Sequence, residues 1–181
     1  MLGSFAGKLL VASPQLLDTI FSRSVVLVCV HDENGAFGLV LNRPLPVGVP
    51  EALPDWAERA SEPAVMFAGG PVQPTLVSGL GFSRTARGDD WTPVTRGVGL
   101  VDLAREEIAT GIERLRLFAG YAGWGAGQLE NEVVREDWFV VEARSDDAFS
   151  LAPEGLWRDV LRRQLDPLVM YSTFPADPLS N

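Results

Sequence analysis

Val25-Val26-Leu27-Val28-Cys29-Val30-His31-Asp32-Glu33-Asn34-Gly35-Ala36-Phe37-Gly38-Leu39-Val40-Leu41 places two apolar runs on either side of a short polar segment. The first run, Val25 to Val30, is β-branched and apolar, which suits a strand. His31 to Gly35 then offers a reversal, with Asn-Gly able to supply the positive-φ positions of a tight turn. Ala36 to Leu41 is apolar again, so the two runs are expected to be antiparallel neighbours. Their near-continuous hydrophobicity means that the sheet is covered on both faces at this point. Asn42-Arg43-Pro44 closes the hairpin, because proline cannot donate into a ladder.

Working outward, Gly7 to Ala12 reads as a strand ended by Ser13-Pro14, and Gln15 to Phe21 as a short turn or helix. Downstream, Val49 to Ala60 suits a helix, with Pro54 in its first turn or breaking it. Val65 to Ala68 is a short strand running into the turn signal Gly69-Gly70-Pro71-Val72. A strand is expected around Thr75 to Ser78, a polar surface loop over Arg84 to Trp91, and a strand over Gly97 to Val101. Asp102 is placed to cap a helix through about Thr110, ended by Gly111. Ile112 to Ala119 reads as a strand, Gln128 to Arg135 as a helix and Trp138 to Glu142 as a strand. Leu156 to Leu165 is an amphipathic helix, with Leu156, Val160, Leu161 and Leu165 on one stripe. From about residue 166 the proline-rich tail carries no regular pattern. Hairpins with interspersed helices, rather than strict βαβ alternation, predict an α+β fold. The 181 residues show no linker, so one domain over 1–181 is expected.

Composition excludes more than it identifies. The longest uninterrupted apolar run is Val25 to Val30, far short of a membrane span, and the first eight residues lack the basic and apolar regions of a signal peptide. A soluble cytoplasmic protein is the simplest reading. Cys29 is the only cysteine, so no internal disulfide forms, and within its apolar run it reads as a small buried hydrophobe. A formal net charge of -9 at pH 7, without a basic cluster, argues against direct binding to a phosphate backbone. With one histidine and one cysteine, a metal site would have to be built from carboxylates, so none is expected, and no cofactor is either.

A second informative stretch is Tyr121-Ala122-Gly123-Trp124-Gly125-Ala126-Gly127-Gln128-Leu129-Glu130, preceded by Gly120. Its glycines read as a specialised loop between a strand and a helix. A phosphate cradle is a poor fit. Glu130 stands where the dinucleotide pattern needs its third glycine, no lysine follows as a P-loop requires, and Glu130 and Glu132 would repel an anion. His31 abuts Asp32 and invites a base-and-orienter reading, yet no Gly-x-Ser-x-Gly elbow exists; Ser22 and Ser24 are the available partners. The simpler alternative is that both side chains stabilise the turn. Arg43, fixed at the hairpin end, has a guanidinium able to grip a carboxylate, either that of a ligand or an internal acid such as Glu130.

Several of these segments together resemble the YqgE/AlgH family of small bacterial proteins. They are Phe21 to Leu27, His31 to Pro44, Gly69-Gly70-Pro71-Val72, Tyr121 to Glu132, and Leu156 to Leu161, in the family's order and spanning nearly the whole chain. The resemblance implies an α/β sandwich: a largely antiparallel sheet flanked by helices. It implies no established reaction, since the family is of unknown biochemical function, with some members labelled transcriptional regulators. Many members place a Leu-His pair shortly after Gly-Gly-Pro-Val. Here the chain reads Leu76-Val77-Ser78-Gly79-Leu80-Gly81-Phe82, so any shared site needing that histidine is absent. The leading expectation is a non-enzymatic regulatory protein that binds a small ligand or protein partner. Its cleft would be rimmed by His31, Asp32, Asn42, Arg43, Gly69, Gly70, Pro71, Tyr121, Trp124, Gln128 and Glu130. The alternatives are a hydrolase using His31 and Asp32, and a regulator acting directly on DNA, which the net charge disfavours.

Overall fold

In the computed structural model of the chain, the hairpin forms as β2 (Val25–Asp32) and β3 (Gly35–Val40), with Leu27 across from Leu39. The reversal is shorter than the sequence implies: Glu33 and Asn34 make the turn, and neither has positive φ. Instead, the Asp32 carboxylate accepts the Asn34 N–H at 2.8 Å and Gly35 takes φ +136°, so Asp and Gly stand at the first and last turn positions. A bulge between Val28 and Val30 turns Val30 out to 44% exposure, whereas Val25 to Cys29 are buried. The structure describes residues 3–86, 88–104 and 111–175.

Next to β2 lies β1 (Lys8–Ala12), and next to β1 lies β10 (Trp138–Glu142). On the other side β3 pairs with β9 (Arg114–Gly125), followed by β6 (Val72–Phe82), β8 (Val98–Val101) and β7 (Trp91–Thr95). Off this path, β4 (Pro44–Gly48) pairs with β5 (Val65–Ala68), and β5 runs parallel to β9. Every other ladder is antiparallel. The short helices are α1 (Val49–Ala52), α2 (Gln128–Val134), α3 (Leu156–Arg162) and α4 (Leu168–Tyr171).

Strand alternation sorts the apolar residues into two cores. Leu9, Val11, Leu27 and Leu39 pack with Leu156, Trp157, Val160 and Leu161 of α3. Their neighbours Leu10, Val26, Val28 and Val40 pack with Trp124, Trp138 and Leu129 of α2. The sheet is therefore covered on both faces, as the unbroken hydrophobic runs require, and the fold is α+β. A third core gathers Leu115 and Leu117 with Met66, Val49 and Trp91. Each fully buried Leu or Val contributes about 1.5–3 kcal/mol.

Several expectations need correction. The glycine stretch is not a loop up to Glu130: β9 continues through Gly120, Tyr121, Gly123 and Trp124 to Gly125, and only Ala126-Gly127 make the turn. Close backbone approach explains Gly120 in this strand and Gly35 across from it. A Cβ on Gly120 would strike the Gly70 carbonyl, and one on Gly35, opposite Gly125, would strike the Trp124 carbonyl. Val49 to Ala60 divides at Leu53 into α1 and a 3-10 turn over Pro54–Arg59, with Pro54 in the first turn of the second piece. Around Thr75 to Ser78 the strand is longer, and β4 and β7, which contain Pro44, Pro46 and Pro93, fall where the sequence reading assigns no strand. Leu165 leaves the predicted stripe, because α3 ends at Arg162 and Leu165 is exposed. The tail contains one helical turn, α4. In the predicted helix from Asp102, residues 102–104 are not helical and 105–110 lie outside the described residues.

Candidate functional site

His31 is held at every polar atom. Its Nδ1 accepts the Phe5 N–H at 2.9 Å, so the proton sits on Nε2, which donates to the Glu130 carboxylate at 3.1 Å. The ring stacks on Phe5, with centroids 5.1 Å apart and planes within 1°. Asp32 does not orient the imidazole, because its carboxylate is turned to the Asn34 amide. The catalytic pairing of His31 with Asp32 is therefore not formed: both ring nitrogens are engaged, and the carboxylate that reaches the ring is Glu130.

Trp124 and Gln128 lie in a cleft of about 280 Å³ that also takes in Phe21, Glu132 and Trp138. The Phe21 ring centroid lies 6.5 Å from that of Trp124 and 5.6 Å from that of Trp138; the two indoles are 6.1 Å apart. One oxygen of Glu132 accepts both indole N–H groups, at 2.8 Å from Trp124 and 2.9 Å from Trp138. Its other oxygen accepts Gln128 Nε2 at 2.9 Å, while Gln128 Oε1 takes the Gly125 N–H at 3.0 Å. A single carboxylate in the first turns of α2 thus locks the aromatic floor. Asp18, Arg135 and Asp137 supply the polar rim, and Leu17 and Ile20, neighbours of Asp18, are exposed.

Asn42 and Arg43 belong to a different cleft, of about 350 Å³, with Arg23, Trp157 and Arg158. Asn42 is buried as a clamp: its Oδ1 takes the Val25 N–H and its Nδ2 donates to the Arg23 carbonyl, both at 2.9 Å. The internal partner of Arg43 is not Glu130 but the Ser22 carbonyl. Burial lowers the Arg43 pKa below the usual guanidinium value. Gly69 bridges strands, donating to the Ala119 carbonyl at 2.8 Å and accepting the Val40 N–H at 2.9 Å. Gly70 abuts the Tyr121 backbone, Pro71 is exposed, and Tyr121 packs on Phe37. The residues expected around one cleft thus divide. His31 joins Glu130; Trp124 and Gln128 line the aromatic cleft; Asn42 and Arg43 line the arginine cleft.

Sequence reasoning missed Phe5, Phe21, Arg23, Glu132, Trp138 and Arg158. The signal for Glu132 was its i+4 spacing from Gln128, which puts both on one helix face; the others meet only through long-range pairing. Among the described residues, no three His, Cys, Asp or Glu side chains are grouped to hold a metal ion. No helix of the described residues is long and apolar enough to cross a membrane.

A largely antiparallel sheet with helices on both faces, bearing an aromatic and an arginine-lined cleft, defines a small α+β scaffold. The chain belongs to the AlgH-like family, whose model matches residues 9–168. A protein of the same family in Streptomyces avermitilis, named only as a UPF0301 protein, is 49% identical over 98% of this chain and 96% of its own. A UPF0301 protein of Mycobacterium tuberculosis is 40% identical over 95% of this chain and 88% of its own. Among solved structures, protein DIP2367 of Corynebacterium diphtheriae superposes with a TM-score of 0.87 at 35% identity, covering 93% of this chain and 92% of that one. The solution structure of AlgH from Pseudomonas aeruginosa matches with a TM-score of 0.70 at 27% identity, over 98% of this chain and 97% of that one.

Proposed function

We propose that this protein is a cytoplasmic, non-enzymatic regulatory protein whose 181 residues act as one domain and take a small ligand or partner segment in the cleft over Trp124 and Trp138. The observation that carries this reading is the shared Glu132 clamp on both indoles, which fixes an aromatic floor beneath a polar rim. Pre-formed apolar pockets with a few fixed polar groups are what binding sites are made of. The engagement of both His31 nitrogens weighs against the hydrolase alternative, and the net charge of -9 weighs against direct action on DNA.

The test is a fragment library screened by NMR on the indole N–H resonances. Binders that shift both Trp124 and Trp138 support the proposal, and hits that all map elsewhere would sink it. A parallel screen of esterase and phosphatase substrates on the protein and on His31→Ala addresses the hydrolase reading; turnover that disappears in the variant would replace binding with catalysis.

A further inference from the structure

The arginine cleft has no role in that proposal, and its charge is out of keeping with the rest of the molecule. Arg23, Arg43 and Arg158 line it against a single acid, Glu154, in a chain of net charge -9. Three guanidiniums against one carboxylate leave a local charge of +2. Among the described residues, none of the three has a carboxylate within ion-pair distance, whereas Arg84, Arg114, Arg135, Arg162 and Arg163 each do. Asp159, on the same helix as Arg158, is turned to Arg162 at 3.7 Å.

The three are held in place by neutral contacts. Arg23 lies over the Trp157 ring at 4.5 Å, and Trp157 is itself pinned by its N–H to the Ala12 carbonyl at 2.9 Å. Arg23 takes φ +56°, and the Asn42 amide fixes its carbonyl, so the start of the side chain is set by the buried clamp. Its guanidinium donates to the carbonyls of Phe174 and Pro175, and Arg158 reaches the Phe174 carbonyl at 3.4 Å. Arg43 donates to the Ser22 carbonyl. Burial and the nearby Arg158 both lower the Arg23 pKa, as expected where a cation lacks a counter-charge. Single carbonyl oxygens lack the paired acceptors and the charge of an oxyanion, which a guanidinium fork can grip bidentately.

We infer that this cleft is an anion site for a small phosphate-bearing ligand, gripped by Arg23, Arg43 and Arg158, with the Phe174 and Pro175 carbonyls yielding their places to its oxygens. A phosphate monoester near neutral pH carries close to two negative charges and three acceptor oxygens, which matches the local charge and the three donors. A volume of about 350 Å³ accommodates a small phosphorylated metabolite. The site is separate from the aromatic cleft and stands without it.

Titration calorimetry at low salt with inorganic phosphate, glycerol 2-phosphate and succinate tests this on the full chain. Saturable one-site binding is expected for both phosphates, tighter than for succinate, and weakening as salt rises. Arg43→Gln and Arg158→Gln should each weaken phosphate binding about tenfold or more, as loss of a charge-assisted contact requires. Arg162→Gln, on the same helix outside the cleft, should stay within about twofold, with all variants checked for unchanged melting. Absence of saturable phosphate binding overturns the site, as does an equal loss in Arg162→Gln. Succinate binding tighter than either phosphate overturns the assignment to a phosphate-bearing ligand.

Discussion

His31 and Glu130, 99 residues apart in sequence, meet at 3.1 Å and tie the tip of the central hairpin to helix α2. Because Nδ1 is already committed to the Phe5 amide, the imidazole is a three-way joint between the N-terminal segment, the hairpin and the helix. His31→Ala removes two hydrogen bonds and a ring stack and leaves the buried Phe5 N–H unpaired. The expected cost is about 2–4 kcal/mol, seen as a fall in Tm of roughly 5–15 °C. Glu130→Gln keeps an oxygen acceptor and should cost under about 1 kcal/mol. Thermal melts that show the two variants equally destabilised would contradict this division of roles.

Glu132 carries the aromatic cleft in the same way. Glu132→Ala strands the N–H groups of two buried indoles, at about 1–3 kcal/mol for each unpaired donor. The variant should lose near-UV circular dichroism from the tryptophans as their rings loosen, together with stability. Glu132→Gln retains one carbonyl oxygen able to take both N–H groups and should keep most of the spectrum. An unchanged near-UV spectrum in Glu132→Ala would show that packing alone holds the rings.

The parts of the fold legible in the sequence are those set by local chemistry. Val25 to Cys29 and Leu39-Val40 read as strands covered on both faces, and they are buried there. Gln128 to Arg135 reads as a helix and forms one. The rest depends on partners distant in sequence. Gly120, Gly123 and Gly125 have the composition of a loop, and only the approach of the Gly70 carbonyl reveals why the strand needs a glycine at Gly120. Pro44 and Pro93 look like breakers until their strands are seen beside the shorter ladders of the sheet. The same holds for the candidate site: Trp124 and Arg43 are visible as residues, but their assignment to two clefts follows from Phe21, Trp138, Arg23 and Arg158 arriving through tertiary structure.

Cys29 gives a prediction in pH. Burial pushes its thiol up to about 12 from an ordinary 9.0. Below pH 9 the thiol is protonated in both states and its contribution is fully present. Above pH 9 the unfolded chain loses the proton while the native state keeps it, so stability falls by roughly 1.4 kcal/mol per pH unit until about pH 12. Urea midpoints compared at pH 8 and pH 10 should therefore drop further for the native sequence than for Cys29→Ala, by about 1.4 kcal/mol. Native Cys29 should also react with thiol reagents only at the rate of opening. Fast labelling of the folded protein, or identical pH slopes for the two chains, would contradict the buried protonated thiol.

Gly120 and Gly127 offer a controlled comparison, because both take φ +71°. An alanine at either position bears the same left-handed backbone strain, on the order of 1–2 kcal/mol. Their surroundings differ. At Gly127 a Cβ would meet nothing within 4 Å, whereas at Gly120 it would strike the Gly70 carbonyl and press on the Val72 carbonyl at 3.0 Å and on Pro74 Cα at 3.3 Å. All three obstacles are backbone and cannot rotate away, so the strands must separate. Gly127→Ala should therefore cost about 1–2 kcal/mol and leave the fold intact. Gly120→Ala should cost about 4 kcal/mol or more, a large share of the 5–15 kcal/mol that holds a domain together. Denaturant unfolding of the two variants side by side gives the difference directly. If they lose the same amount, the glycines of β9 are needed only for backbone freedom and the close-approach argument is wrong.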